Sequence, residues 1–185
     1  YKGIIEYRGK HNVTDVDVAN KTLKFEFNED VKASFLNVIP SMRAGDVAVN
    51  AGLATANKRW CEVDFLTFES KAAKNVHVLG DSIQIAPAMP KSGHMANQHG
   101  KTCAAAVIAL LMGKQVNNMP VYNNTCYSFV SSKDVIHVAS VHRYDAERKT
   151  MVAVAGAGGV SSAANELEGI YALSWAQNIW ADTLA

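Results

Sequence analysis

Three short stretches of this chain carry residues whose type and placement suit chemistry. Gly80-Asp81 closes the apolar segment Asn75-Val76-His77-Val78-Leu79. An aspartate at the end of a strand can accept a hydrogen bond from a hydroxyl of a bound cofactor, and equally it can cap a turn. Just beyond it, Met89-Pro90-Lys91-Ser92-Gly93 leads into a long helical pattern. The start of a helix presents unpaired amides and partial positive charge, so it favours negative charge on a neighbouring group. Lys91 adds charge to such a site, or is an incidental lysine at a helix start. Cys126, in Asn124-Thr125-Cys126-Tyr127-Ser128, reads as a thiol at a turn-to-strand junction, where it could be exposed and aimed. Thiolate chemistry needs such access, while an idle thiol needs none.

Other combinations are weaker. Gly80-Asp81-Ser82-Ile83 mimics the Gly-Asp-Ser block of a hydrolase family, and Asp134-Val135-Ile136-His137 mimics its Asp-x-x-His. Together they would offer Ser82 as nucleophile, His137 as base and Asp134 as orienter. In such hydrolases the serine block opens the domain, whereas here Ser82 lies mid-chain and too few residues separate it from Asp134 to build the intervening sheet. The six histidines, His11, His77, His94, His99, His137 and His142, lack the cysteine or acid spacing of a zinc site. His94 and His99 lie five apart on the expected helix, a poor angle for sharing one metal, so no metal is expected.

The elements that would position these residues follow from periodicity. Ile4 to Tyr7, Val13 to Val18 and Thr22 to Phe27 alternate as strands, with Asn20-Lys21 as a turn. Ala33 to Ile39 is continuously apolar and reads as a strand buried on both faces, stopped by Pro40. A short helix is expected near Asp46 to Leu53 and a strand over Asn75 to Leu79. The spacing then predicts a helix from Ser92, a good N-cap, to Leu111 or Met112, stopped by Gly113. Tyr122 to Thr125 reads as a turn, and Cys126 to Val130, Val135 to Val141 and Thr150 to Val154 as strands. A last helix is expected from Ala163 to Thr183, with Leu167, Ile170, Tyr171 and Trp175 near helical spacing.

Composition sets the outer bounds. The chain has 185 residues, 49% of them apolar, and a formal net charge of +1. So even a balance supplies no electrostatic argument for nucleic acid or a membrane surface as partner. The apolar run Cys103 to Met112 falls short of the roughly 20 residues that cross a bilayer. Tyr1 to Ile5 reads as the inside of a folded domain, so no secretory signal is expected there. The cysteines are Cys61, Cys103 and Cys126, an odd number that leaves at least one unpaired within the chain. Cys103, in an alanine-rich run, reads as a buried hydrophobe, and Cys61 as structural.

A family resemblance joins these pieces. Asn37-Val38-Ile39-Pro40 with Arg43-Ala44-Gly45, Trp60-Cys61-Glu62-Val63-Asp64 with Thr67-Phe68-Glu69-Ser70, Val76 to Asp81, Ala88 to Gly93, and Asn124 to Ser128 follow a shared order and spacing. They resemble the carboxy-terminal part of the flavoprotein subunit of flavocytochrome c sulfide dehydrogenases, from about Phe35 onward. Sulfide:quinone oxidoreductases are more distant relatives, similar in architecture but not in these words.

The resemblance implies an α/β flavoprotein with two dinucleotide-binding-like domains and a small α+β carboxy-terminal domain. On that reading, residues 1–73 are a remnant of the second dinucleotide-like domain with a β-meander. Residues 74–116 are a returning segment of the FAD domain, and residues 117–185 the carboxy-terminal domain. It further implies FAD as cofactor, with Gly80, Asp81, Lys91, Ser92 and Gly93 beside it. A reduced flavin carries negative charge near N1 and its C2 carbonyl, which a helix start would favour. Cys126 matches the second cysteine of the family's redox pair. In the family, sulfide opens that disulfide, electrons pass through FAD to a c-type cytochrome subunit, and sulfur leaves as polysulfide or elemental sulfur. A periplasmic location is implied likewise. No Gly-x-Gly-x-x-Gly opens this chain, and neither Cys61 nor Cys103 matches the flavin-tethering or first redox cysteine. The expectation is therefore a fragment that needs the upstream part of the flavoprotein and is inactive alone. A non-catalytic module that completes a flavin site or binds a cytochrome is the alternative.

Overall fold

The computed structural model describes residues 3–184, which divide into two compact units between Met42 and Arg43. The first holds a three-stranded antiparallel sheet of β1 (Val13–Asp17), β2 (Thr22–Phe25) and β3 (Val31–Lys32) in the order β1-β2-β3. Lys21 takes a positive φ of 52° in the β1–β2 turn. Two expectations fail here. Ile4 to Tyr7 forms no strand, and the apolar run Ala33 to Ile39 is irregular beyond Lys32, with Phe35 80% and Ile39 86% exposed. Beyond the Ala33 amide, which donates to the Lys21 carbonyl at 3.0 Å, the run finds no strand partner among the described residues, and an apolar stretch without a ladder has no reason to stay extended and covered.

The second unit carries the site. It contains α1 (Asp46–Asn50), α2 (Gly93–Leu111), β4 (Val121–Phe129), β5 (Val135–Asp145), β6 (Thr150–Ala153), β7 (Gly159–Val160) and α3 (Glu166–Leu184). Its sheet is antiparallel in the order β4-β5-β6, with β7 also pairing with β5, so β4 is an edge. The architecture is a mixed α and β fold with antiparallel sheets.

Helix α2 follows its sequence signals closely. Ser92 caps it, its Oγ accepting the Met95 amide at 3.1 Å. The other end closes through two bonds, Gly113 N to Leu110 O at 3.1 Å and Lys114 N to Ala109 O at 2.8 Å. Gly113, at φ 65°, supplies the left-handed residue that this closure requires. Met95, His99, Cys103 and Ala106 recur at helical spacing and form the buried stripe. That stripe packs into a core with Val63, Phe65, Phe68, Ile83, Met89, Tyr122 and Met151. The core thus joins the loop-rich segment before α2 to the sheet after it.

Between Asn75 and Leu79 only His77 makes a bridge, to Glu69, so the expected strand is an extended segment. It ends in a 3-10 turn, Gly80–Ser82. Helix α3 begins at Asn165, whose Oδ1 accepts the Glu168 amide at 2.9 Å. Asn165 and Val135 exchange backbone hydrogen bonds at 3.1 and 3.2 Å, which fastens the start of α3 to the start of β5. A Cβ on Gly169 would collide with the Lys133 carbonyl, so the helix can approach the β4–β5 loop only with glycine there.

Candidate functional site at the start of α2

Tyr122 to Thr125, expected as a turn, continues β4, and Cys126 stands in the middle of that strand opposite Val138. The asparagines that suggested a turn are satisfied by α2 instead. Gln98 donates Nε2 to the carbonyl and side-chain oxygens of Asn123 and accepts the Asn123 amide at 3.0 Å. Four residues earlier, His94 Nδ1 accepts the Thr125 amide at 3.1 Å. Four residues of helix rise about 6 Å and two residues of strand about 6.8 Å, so side chains at i and i+4 can serve alternate positions of an edge. Helix α2 thereby fills the open edge that β4 would otherwise present.

Alternation along β4 places Tyr122, Asn124 and Cys126 on one face. Asn124 is buried, and its side chain links two parts of the site. Ser92 Oγ donates to Asn124 Oδ1 at 2.5 Å, while Asn124 Nδ2 donates to Cys126 Sγ at 3.4 Å. Cys126 lies in a cleft of about 330 Å³ with Ser92 and Gly93, walled by His94, Tyr127 and Trp175. The Trp175 ring stands edge-on to His94 at 5.5 Å. Burial, then the charge of Lys101, pulls His94 below the usual imidazole range. Its Nδ1 accepts a hydrogen bond from the Thr125 amide, so the neutral ring carries its own proton on Nε2.

The other predicted residues gather at the same helix start. Gly80 is buried at φ 69°, and a Cβ there would meet Ala96 of α2 at 3.3 Å. Glycine therefore serves both the backbone conformation and the approach of the turn to the helix. Asp81 is exposed on that turn. Lys91 Nζ donates to the Asp81 and Ile83 carbonyls at 2.6 and 2.7 Å and lies 3.7 Å from the centre of the Trp60 ring. Burial pulls this ammonium down, while the charge of Asp81 opposes the shift. Lys91 is thus bound to the turn that carries Asp81. A Cβ on Gly93 would meet nothing within 4 Å, which leaves open space at the exposed helix start.

These features fit a flavin. The α2 start offers an electropositive end, open space beside Gly93, an exposed carboxylate on Asp81 and a thiol reached through Asn124. The three cysteines are free, with Cys61 and Cys103 buried and Cys126 partly exposed. The hydrolase alternative fails, because its members are engaged elsewhere. Asp134 accepts from Ser131 Oγ at 2.8 Å, and His137 Nδ1 sits 2.9 Å from both Glu168 Oε2 and Ser161 Oγ. Ser82 lies in the 3-10 turn, and no hydrogen bond among the described residues joins it to either.

Sequence reasoning missed Asn124, His94 and Gln98 as parts of the site. The i, i+4 pair of polar residues early in α2 was the available signal. Among the described residues no helix is long and apolar enough to cross a membrane. Residues 118–184, which include all of β4 to α3, match the family model described as flavocytochrome c sulphide dehydrogenase, flavin-binding. The carboxy-terminal part of the chain is therefore similar to that domain, whose family binds a flavin.

Proposed function

We propose that the chain supplies the redox thiol and one flank of the flavin site in a flavoprotein that oxidises sulfide and passes electrons to a c-type cytochrome. The observation that carries this reading is the line from the α2 start through Ser92 and Asn124 to Cys126. It puts a partly exposed thiol beside a helix start that favours negative charge. When bound, FAD supplies the two-electron acceptor. Gly80 and Asp81 flank it, Lys91 holds their turn in place, and Ser92 and Gly93 present the helix start to it. Cys126 forms the redox disulfide with a cysteine upstream of these residues, so this polypeptide alone does not turn over. The exposed apolar residues of α3, among them Ile170, Leu173 and Trp180, offer a surface for the cytochrome or for the rest of the flavoprotein. A periplasmic setting, where a disulfide persists, belongs to the same reading. The alternative is an interaction module that completes another chain's flavin site without chemistry of its own.

Cys126→Ser in the complete flavoprotein separates the two. Flavin content should stay at the wild-type level, while sulfide-dependent cytochrome reduction falls to near background. Full activity in that variant would remove Cys126 from the reaction.

A further inference from the structure

We propose that Asn124 is the positioning residue of the thiol: its carboxamide aims the Cys126 sulfur and links it to the cap of α2. This rests on Cys126 as the redox thiol and adds the residue that tunes it. Asn124 is only 3% exposed, so its polar atoms must find protein partners. Both ends of the amide do. Ser92 Oγ accepts the Met95 amide, so its own proton is available for Asn124 Oδ1. With the oxygen held there, Nδ2 is turned to Cys126 Sγ at 3.4 Å. The opposite donation, from the thiol to Oδ1, spans a longer 3.8 Å. The shorter contact is the one that serves a negatively charged sulfur, since an N–H donor stabilises charge on its acceptor. Strand alternation makes this geometry local, because a residue two positions before the cysteine shares its face.

The test reads alkylation of Cys126 by iodoacetamide in the folded chain, followed by mass, for wild type, Asn124→Asp and Asn124→Ala. Cys61 and Cys103 are buried, so Cys126 is the thiol that reacts. Asp keeps the shape and an acceptor for Ser92 but replaces the donor with a carboxylate, while Ala removes the donor without adding charge. At pH 7 Asn124→Ala should react about tenfold more slowly, the effect of one charge-assisted hydrogen bond, and Asn124→Asp at least as slowly, because its carboxylate also repels the thiolate. At pH 9.5, above the ordinary thiol range, the rates of wild type and Asn124→Ala should converge to within about twofold. Wild-type reactivity of Asn124→Asp at pH 7 would overturn the proposal, as would equal slowing of Asn124→Ala at both pH values, which reports access alone. Circular dichroism checks that each variant is folded. Should Asn124→Asp unfold, Ser92→Ala carries the test, with slower alkylation at pH 7 expected and an unchanged rate contradicting the link. These readouts need no flavin or sulfide, so a failure of the redox assignment would show separately in the turnover of Cys126→Ser.

Discussion

His99 sits on the buried stripe of α2, 1% exposed, with its ring 4.7 Å from that of Phe68 and 5.2 Å from that of Tyr122. Neither ring nitrogen has a hydrogen-bond partner among the described residues. Burial, helped by the nearby charge of Lys91, pushes its pKa down from 6.5 to about 4. The unfolded chain therefore takes up a proton at higher pH than the folded one, and stability is fully present above about pH 6.5. It declines as pH falls towards 4, by about 3 kcal/mol in all and about 2 kcal/mol between pH 7 and pH 5. His99→Leu removes the titrating group and two unpartnered nitrogens at similar volume. We expect it to raise stability by about 1 kcal/mol at pH 7 and by clearly more at pH 5. Urea unfolding at both pH values, followed by tryptophan fluorescence, measures both terms. His94 and His142 are also pulled down by burial, so the difference between variant and wild type isolates His99. An identical loss of stability on acidification in the two proteins would refute the reasoning.

Two further substitutions probe the packing that holds the site. Gly169→Ala should lower stability by about 1–3 kcal/mol, because its methyl group meets the Lys133 carbonyl, and a thermal melt within error of wild type would contradict that approach. Gln98→Ala should expose the Asn123 edge of β4, costing about 1–2 kcal/mol and speeding amide exchange at Asn123 in particular, whereas unchanged exchange there would show that α2 does not cover the edge.

The legible parts of this chain are those whose determinants lie close together in sequence. Ser92 and Gly113 bracket α2 because a cap and a left-handed stop act within a turn of the helix they bound. The second half of β4 and the cores of β5 and β6 show in their apolar residues. Where the strand is longer than expected, the cause is partners that are distant in sequence. Asn123 and Asn124 have poor strand propensity and read as a turn, yet Gln98 and Ser92 reach them from α2 and the strand continues. Ala33 to Ile39 has the composition of a buried strand, but among the described residues only the Ala33 amide bonds to the sheet, at the Lys21 carbonyl, and composition cannot supply a ladder. Gly80, Asp81, Lys91, Ser92, Gly93 and Cys126 stand in the sequence as separate words. That Lys91 turns back onto the Asp81 carbonyl, and that Asn124 spans from Ser92 to Cys126, depends on how α2 lies along β4. No local pattern encodes that.

The most direct test is a non-reducing peptide map of the complete oxidised flavoprotein. Cys126 should be disulfide-linked to a cysteine outside these 185 residues, while Cys61 and Cys103 remain free thiols. Cys126 found as a free thiol in the oxidised, flavin-loaded protein would contradict it.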